Sequence, residues 1–130
     1  MAALLAACDQ NPRLAPPSGS AATTATLAVD TIASGLSVPW ALAFAADGRI
    51  FVTERGGRIR VIERGHFGAE PWAMLPVAEQ GEAGLRGLAL SPDFADSHEL
   101  FVVGTFDQDG ALVNRVVRLT EENGRGVRRR

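Results

Sequence analysis

An all-β fold assembled from repeated four-stranded sheets, the blades of a β-propeller, is what this sequence predicts, on three observations. Ala41 to Asp47 (ALAFAAD) lines up with Gly87 to Asp93 (GLALSPD) at an offset of 46, and Ile50 to Thr53 lines up with Leu100 to Val103 at an offset of 50. The repeating units are short apolar runs of strand length, punctuated by Gly and Asp turns. A β repeat of roughly 40 to 50 residues marks propeller blades, none of which can bury its apolar faces alone. The difference between the two offsets is a loop insertion, Ala95 to Glu99.

Residues 1–8 end in Leu5-Ala6-Ala7-Cys8, which resembles the lipobox where bacterial lipoprotein signals are cut before a lipid-bearing cysteine. The apolar stretch before it falls short of the roughly 7 to 15 residues of a signal and carries no basic residue, so residues 1–8 read as a truncated signal. Cys8 is the expected lipid attachment, with a periplasmic or membrane-anchored location. Asp9 to Thr26 is Pro, Ser, Ala and Thr with almost nothing large to bury, and reads as a flexible tether. The propeller is expected over residues 27–120. Leu27, Val29 and Thr31 alternate with Ala28, Asp30 and Ile32 as a strand would, placed to close the ring by completing its last blade.

Trp40 to Ala45 suits an innermost strand, with small Ala41, Ala43 and Ala45 toward a crowded centre. Pro39 and Trp40 are expected to pack where that strand begins. Ala46-Asp47-Gly48 is a turn, Ile50 to Glu54 a second strand, Arg55-Gly56-Gly57-Arg58 a tight hairpin, Ile59 to Ile62 a third strand and Trp72 to Val77 a fourth. The second blade has strands at Leu85 to Leu90, Leu100 to Phe106 and Ala111 to Leu119, with a turn at Asp107 to Gly110. Residues 121–130 are polar, without strand pattern, and are expected to be a disordered or truncated tail. About one and a half blades plus a ring-closing strand are therefore expected, the first part of a longer propeller.

Chemistry is excluded more readily than assigned. With 130 residues, 46% hydrophobic and 22% charged, the chain has the balance of a soluble domain, and its net charge of -2 gives no pull toward nucleic acid. One cysteine allows neither an internal disulfide nor a cysteine zinc cluster. His66 and His98 lie apart in loops, and Asp107-x-Asp109-Gly110 lacks the distal acids of a calcium loop. Arg58, Arg60 and Arg64 alternate beside Glu54 and Glu63 as a solvated face would.

Three ordered stretches carry more: Leu36-Ser37-Val38-Pro39-Trp40-Ala41-Leu42-Ala43-Phe44, then Asp47-Gly48-Arg49-Ile50-Phe51-Val52-Thr53-Glu54-Arg55, then Gly81-Glu82-Ala83-Gly84-Leu85-Arg86-Gly87-Leu88-Ala89-Leu90-Ser91-Pro92-Asp93-Phe94. Together they resemble the opening of the soluble pyrroloquinoline-quinone (PQQ)-dependent sugar dehydrogenases, the glucose/sorbosone dehydrogenase family. That resemblance implies a six-bladed propeller, a PQQ cofactor near its axis and a bound calcium ion. It further implies an aldose substrate oxidised to a lactone by hydride transfer to the quinone, and an electron acceptor to reoxidise it. The family's loop before the second inner strand commonly reads Gly-Gln-x-Gly-Leu-Leu, its glutamine lying at the cofactor and sugar. Here Glu82 replaces that amide and Arg86 an apolar residue. A glutamate only accepts hydrogen bonds and repels the cofactor's carboxylates, which Arg86 offsets; Glu82 paired with Arg86 as an ordinary surface ion pair is the alternative. The family's catalytic His-x-x-Gly region and its calcium ligands are expected downstream, so no catalytic or metal-binding residue is assigned here. A calcium-dependent lactonase and a non-catalytic binding module are the competing propeller functions.

Overall fold

The computed structural model describes residues 27–128; Cys8, the expected tether and the last two arginines lie outside them. Eight strands form two antiparallel sheets, each in simple sequential order. Blade 1 contains β1 (Pro39–Phe44), β2 (Ile50–Glu54), β3 (Arg58–Ile62) and β4 (Ala73–Met74); blade 2 contains β5 (Leu85–Leu90), β6 (Glu99–Gln108), β7 (Ala111–Glu122) and β8 (Arg125–Val127). A short helical turn, α1 (Phe94–Ser97), fills the insertion expected between β5 and β6. The antiparallel order brings the β2–β3 hairpin, the β4–β5 connection and the β6–β7 turn to one end, called here the upper end.

Leu27 to Ile32, expected to complete the ring's last blade, joins neither described sheet, and Leu27 and Val29 lie open on the surface; the blade it would complete is not among the described residues. Two expectations require correction. Residues 121–127 are not a structureless tail: β7 runs on to Glu122, and β8 folds back with Thr120 opposite Val127 and Glu122 opposite Arg125. The Gly126 amide donates to the Trp72 carbonyl at 2.8 Å, and any side chain at Gly126 would enter the Trp72 ring. Blade 2 is thus a full four-stranded blade. Trp40 is 44% exposed rather than packed.

The core lies between the blades. Blade 1 contributes Phe51, Ile59, Trp72, Ala73 and Leu75, and blade 2 contributes Leu85, Leu100, Val102, Val117 and Leu119, all buried. Phe51 is its centre, meeting Trp72 edge-on at 5.2 Å and Phe94 edge-on at 5.4 Å between ring centroids. Burying each such side chain stabilises the pair by about 1.5–3 kcal/mol, a gain neither blade obtains alone. At the lower end Arg49 spans the junction. Its guanidinium donates to both carboxylate oxygens of Glu121 on β7, at 2.9 and 2.8 Å, and to Asp47 at 2.8 Å.

Candidate functional site

The upper end is where backbone and side chains of both blades converge. The Gly-Gly hairpin turns sharply there because Gly57 adopts φ +95, and a Cβ at that point would meet the Leu75 carbonyl. Directly below the hairpin, Glu54 is fully buried. One of its oxygens accepts the Ser37 amide at 2.6 Å and the other accepts Arg58 Nε. Burial on its own would raise this carboxyl, but the hydrogen bonds from Arg58 and Ser37 outweigh it and hold the group below the ordinary glutamate range.

Arg55 fixes the loop that carries Glu82. Its Nη1 donates to the Gly81 carbonyl at 2.9 Å, and its carbonyl accepts the Leu85 amide at 2.8 Å. Gly84 lies against it at φ +136, where a Cβ would come within 2.5 Å of the Arg55 carbonyl oxygen. Only glycine permits that approach. The loop between the blades is therefore clamped at both ends, with Glu82 exposed at its tip.

Arg86 occupies a bulge in β5 between Leu85 and Gly87, and Trp40 occupies the matching bulge in β1 between Pro39 and Ala41. A bulge re-aims the side chain it contains. The Arg86 guanidinium donates to Asn114 Oδ1 at 3.3 Å, an oxygen that also accepts the Thr105 hydroxyl at 2.8 Å. Arg86 donates to Asn114 rather than pairing with Glu82, and neither residue takes part in the ion pairs around Arg49, Arg55, Arg58 and Arg118. The structure brings Glu82 and Arg86 to the same end of the same loop but not into contact. His66 and His98 are both exposed, at the opposite end. Sequence reasoning missed Arg55, Thr53 and Asn114. Thr53 is fully buried and donates its hydroxyl to the Arg86 carbonyl at 2.9 Å, which fixes the bulge from below. A buried threonine opposite a repeat-equivalent valine, Val103, was the available signal.

Residues 36–128 match the glucose/sorbosone dehydrogenase model, which spans well over half of the chain. The chain belongs to the glucose/sorbosone dehydrogenase family. An aldose sugar dehydrogenase of Escherichia coli is 36% identical over 83 residues, covering 62% of this chain and 22% of that protein. Among solved structures, a glucose dehydrogenase-type oxidoreductase of Thermus thermophilus has a TM-score of 0.70 and 42% identity, covering 78% of this chain and 30% of that one. The PQQ-bound aldose sugar dehydrogenase of Streptomyces coelicolor has a TM-score of 0.64 and 33% identity, covering 73% of this chain and 28% of that one. The chain therefore spans between a fifth and a third of the length of these family members. Its two blades correspond to part of their β-propeller.

Proposed function

We propose that these two blades belong to a PQQ-dependent aldose dehydrogenase that oxidises the anomeric carbon of a sugar to a lactone. The carrying observation is the Arg86 guanidinium at the upper end, whose described partner is a neutral amide rather than a carboxylate. A planar cation held by Asn114 and free of a carboxylate counter-ion fits the carboxylates of the quinone. When bound, the quinone supplies the two-electron acceptor. What this chain contributes is binding and position: Arg55 and Gly84 fix the loop, the Thr53 hydroxyl holds the Arg86 backbone, and Glu82 offers an acceptor to sugar hydroxyls.

Among the described residues no three His, Cys, Asp or Glu side chains converge on one point, and the calcium ligands are read as belonging to the part of the propeller beyond these two blades. The 130-residue chain by itself is accordingly read as inactive, with the proton-accepting histidine and the calcium ligands supplied from outside residues 27–128. Anchoring through Cys8 and a periplasmic location complete the reading, supported by the resemblance of Leu5 to Cys8 to a lipobox.

The test is a chimera in which residues 36–128 replace the matching part of the Escherichia coli aldose sugar dehydrogenase. Titrated with PQQ and followed by the quinone's absorbance, it is expected to bind saturably, and Arg86→Leu to weaken binding about tenfold or more, the cost of one charge-assisted hydrogen bond. A folded chimera in which Arg86→Leu leaves PQQ affinity unchanged removes Arg86 from the site.

A further inference from the structure

At the lower end, opposite Glu82 and Arg86, the β3–β4 connection of blade 1 and the β7–β8 turn of blade 2 enclose an open cleft of about 510 Å3. Small-molecule pockets fall between about 300 and 1,000 Å3. Val61 lines the cleft from blade 1; it stands in register with Phe51 and packs against the core between the blades. Further blades of a propeller stack on the opposite face of each sheet, so both walls of this cleft lie within the chain. Each wall is a tight turn. Glu63 and His66 exchange backbone hydrogen bonds at 2.8 and 2.9 Å around Arg64 and Gly65, which adopt φ 50 and 80. Asn123 and Gly124 adopt φ 52 and 73 between β7 and β8. Paired left-handed residues of this kind form the two-residue turns that suit twisted strands. The Gly126 amide, bonded to the Trp72 carbonyl at 2.8 Å, ties one wall to the other. A site held in this way loses little freedom when a ligand enters.

The lining supplies both halves of a hydrogen bond. Glu63 and Glu70 accept, Arg125 donates, and Asn123 does both. Pro71 and Trp72 add apolar surface beside them. Trp72 is 6% exposed, and its indole Nε1 is buried with no hydrogen-bond partner among the described residues. A buried donor left unpaired is costly, and in the wall of a cleft it marks a place where an acceptor from outside the fold is wanted. The two carboxylates disfavour an anion and the guanidinium disfavours a cation. A hydroxyl, which donates and accepts, meets both. We propose that this cleft binds a neutral sugar as a non-catalytic subsite. The ring hydroxyls donate to Glu63 and Glu70 and accept from Arg125, and the C–H face of the ring lies on Pro71 and Trp72. The cleft is at the opposite end from the proposed quinone site, so sugar binding here stands or falls independently of the dehydrogenase chemistry.

NMR titration of the nitrogen-15-labelled full chain with glucose, galactose, maltose and cellobiose tests this. The chain has two tryptophans, so Trp40→Phe assigns the indole N–H signal of Trp72 by elimination. At least one of the four sugars is expected to shift that signal saturably, with a Kd in the millimolar range or below, while the backbone signals of Gly81 and Gly84 at the upper end stay in place. Arg125→Leu and Glu70→Leu replace exposed side chains, and circular dichroism checks that each variant keeps its strands. Each is expected to weaken binding about tenfold or more, the cost of one charge-assisted hydrogen bond. Glucuronate and glucosamine are expected to bind more weakly than the best neutral sugar. A Trp72 signal that none of the four sugars moves, up to their solubility, overturns the proposal. So does an affinity that both substitutions leave unchanged, a response confined to Gly81 and Gly84, or a charged sugar that binds as tightly as the best neutral one.

Discussion

Replacing Arg49 with alanine removes a side chain that ties the lower end of blade 1 to β7. Its side chain is 18% exposed and that of Glu121 15%, which places the pair between surface and interior. Exposed pairs contribute about 0–1 kcal/mol, and breaking a buried one costs about 3–5 kcal/mol. The guanidinium also lies 5.2 Å from the Phe51 centroid and 5.7 Å from that of Phe94, contacts worth about 0.5–1 kcal/mol each. Arg49→Ala is therefore expected to cost about 2–3 kcal/mol. At a slope of about 1.5 kcal/mol/M, urea denaturation would show the midpoint falling by roughly 1.3–2 M. Arg49→Lys keeps the charge but loses the two-pronged contact and the flat face over the rings, and is expected to lose about half as much. A double-mutant cycle with Glu121→Gln isolates the pair, with an expected coupling of about 1–2 kcal/mol. A loss below about 0.5 kcal/mol for Arg49→Ala, measured on monomeric chain, would refute the clasp between blades.

Two further outcomes follow from the upper end. Because the Glu54 carboxyl is held below its ordinary value in the folded chain, its stabilising effect is complete above the unfolded value of 4.5 and is lost as pH falls through the lowered folded one. Glu54→Gln should therefore flatten the acid limb of the stability profile measured by urea titration, and an unchanged limb would contradict the Ser37 and Arg58 contacts. Gly84→Ala forces a Cβ against the Arg55 carbonyl at an unfavourable φ and should lower stability by about 3 kcal/mol. Limited proteolysis should then show earlier cleavage between Ala78 and Gly84, and wild-type resistance would mean that the loop is not clamped.

The strands that pair within a blade were legible because each carries its own signal: β2 and β5 have the bounds expected from apolar runs and turn residues, and β1 differs by a residue at each end. The β8 strand was not. Arg125-Gly126-Val127 has no strand pattern of its own, and what makes it a strand is the end of β7 alongside and the Trp72 ring that excludes a side chain at Gly126. Leu27 to Ile32 has a good alternation but no partner edge among the described residues. At the site, sequence placed Glu82 and Arg86 near each other, since four residues of loop cannot separate them far. It did not supply Asn114, which lies across the sheet and draws Arg86 away through a bulge that only strand pairing reveals.

The most direct test of the dehydrogenase chemistry is turnover by the chimera described above, supplied with PQQ, calcium, glucose and an acceptor dye. Dye reduction with release of the lactone is expected from the chimera, and none from the 130-residue chain under the same conditions. A chimera that folds and binds PQQ yet oxidises no aldose, or a chain that reduces the dye unaided, would contradict the role given to these two blades.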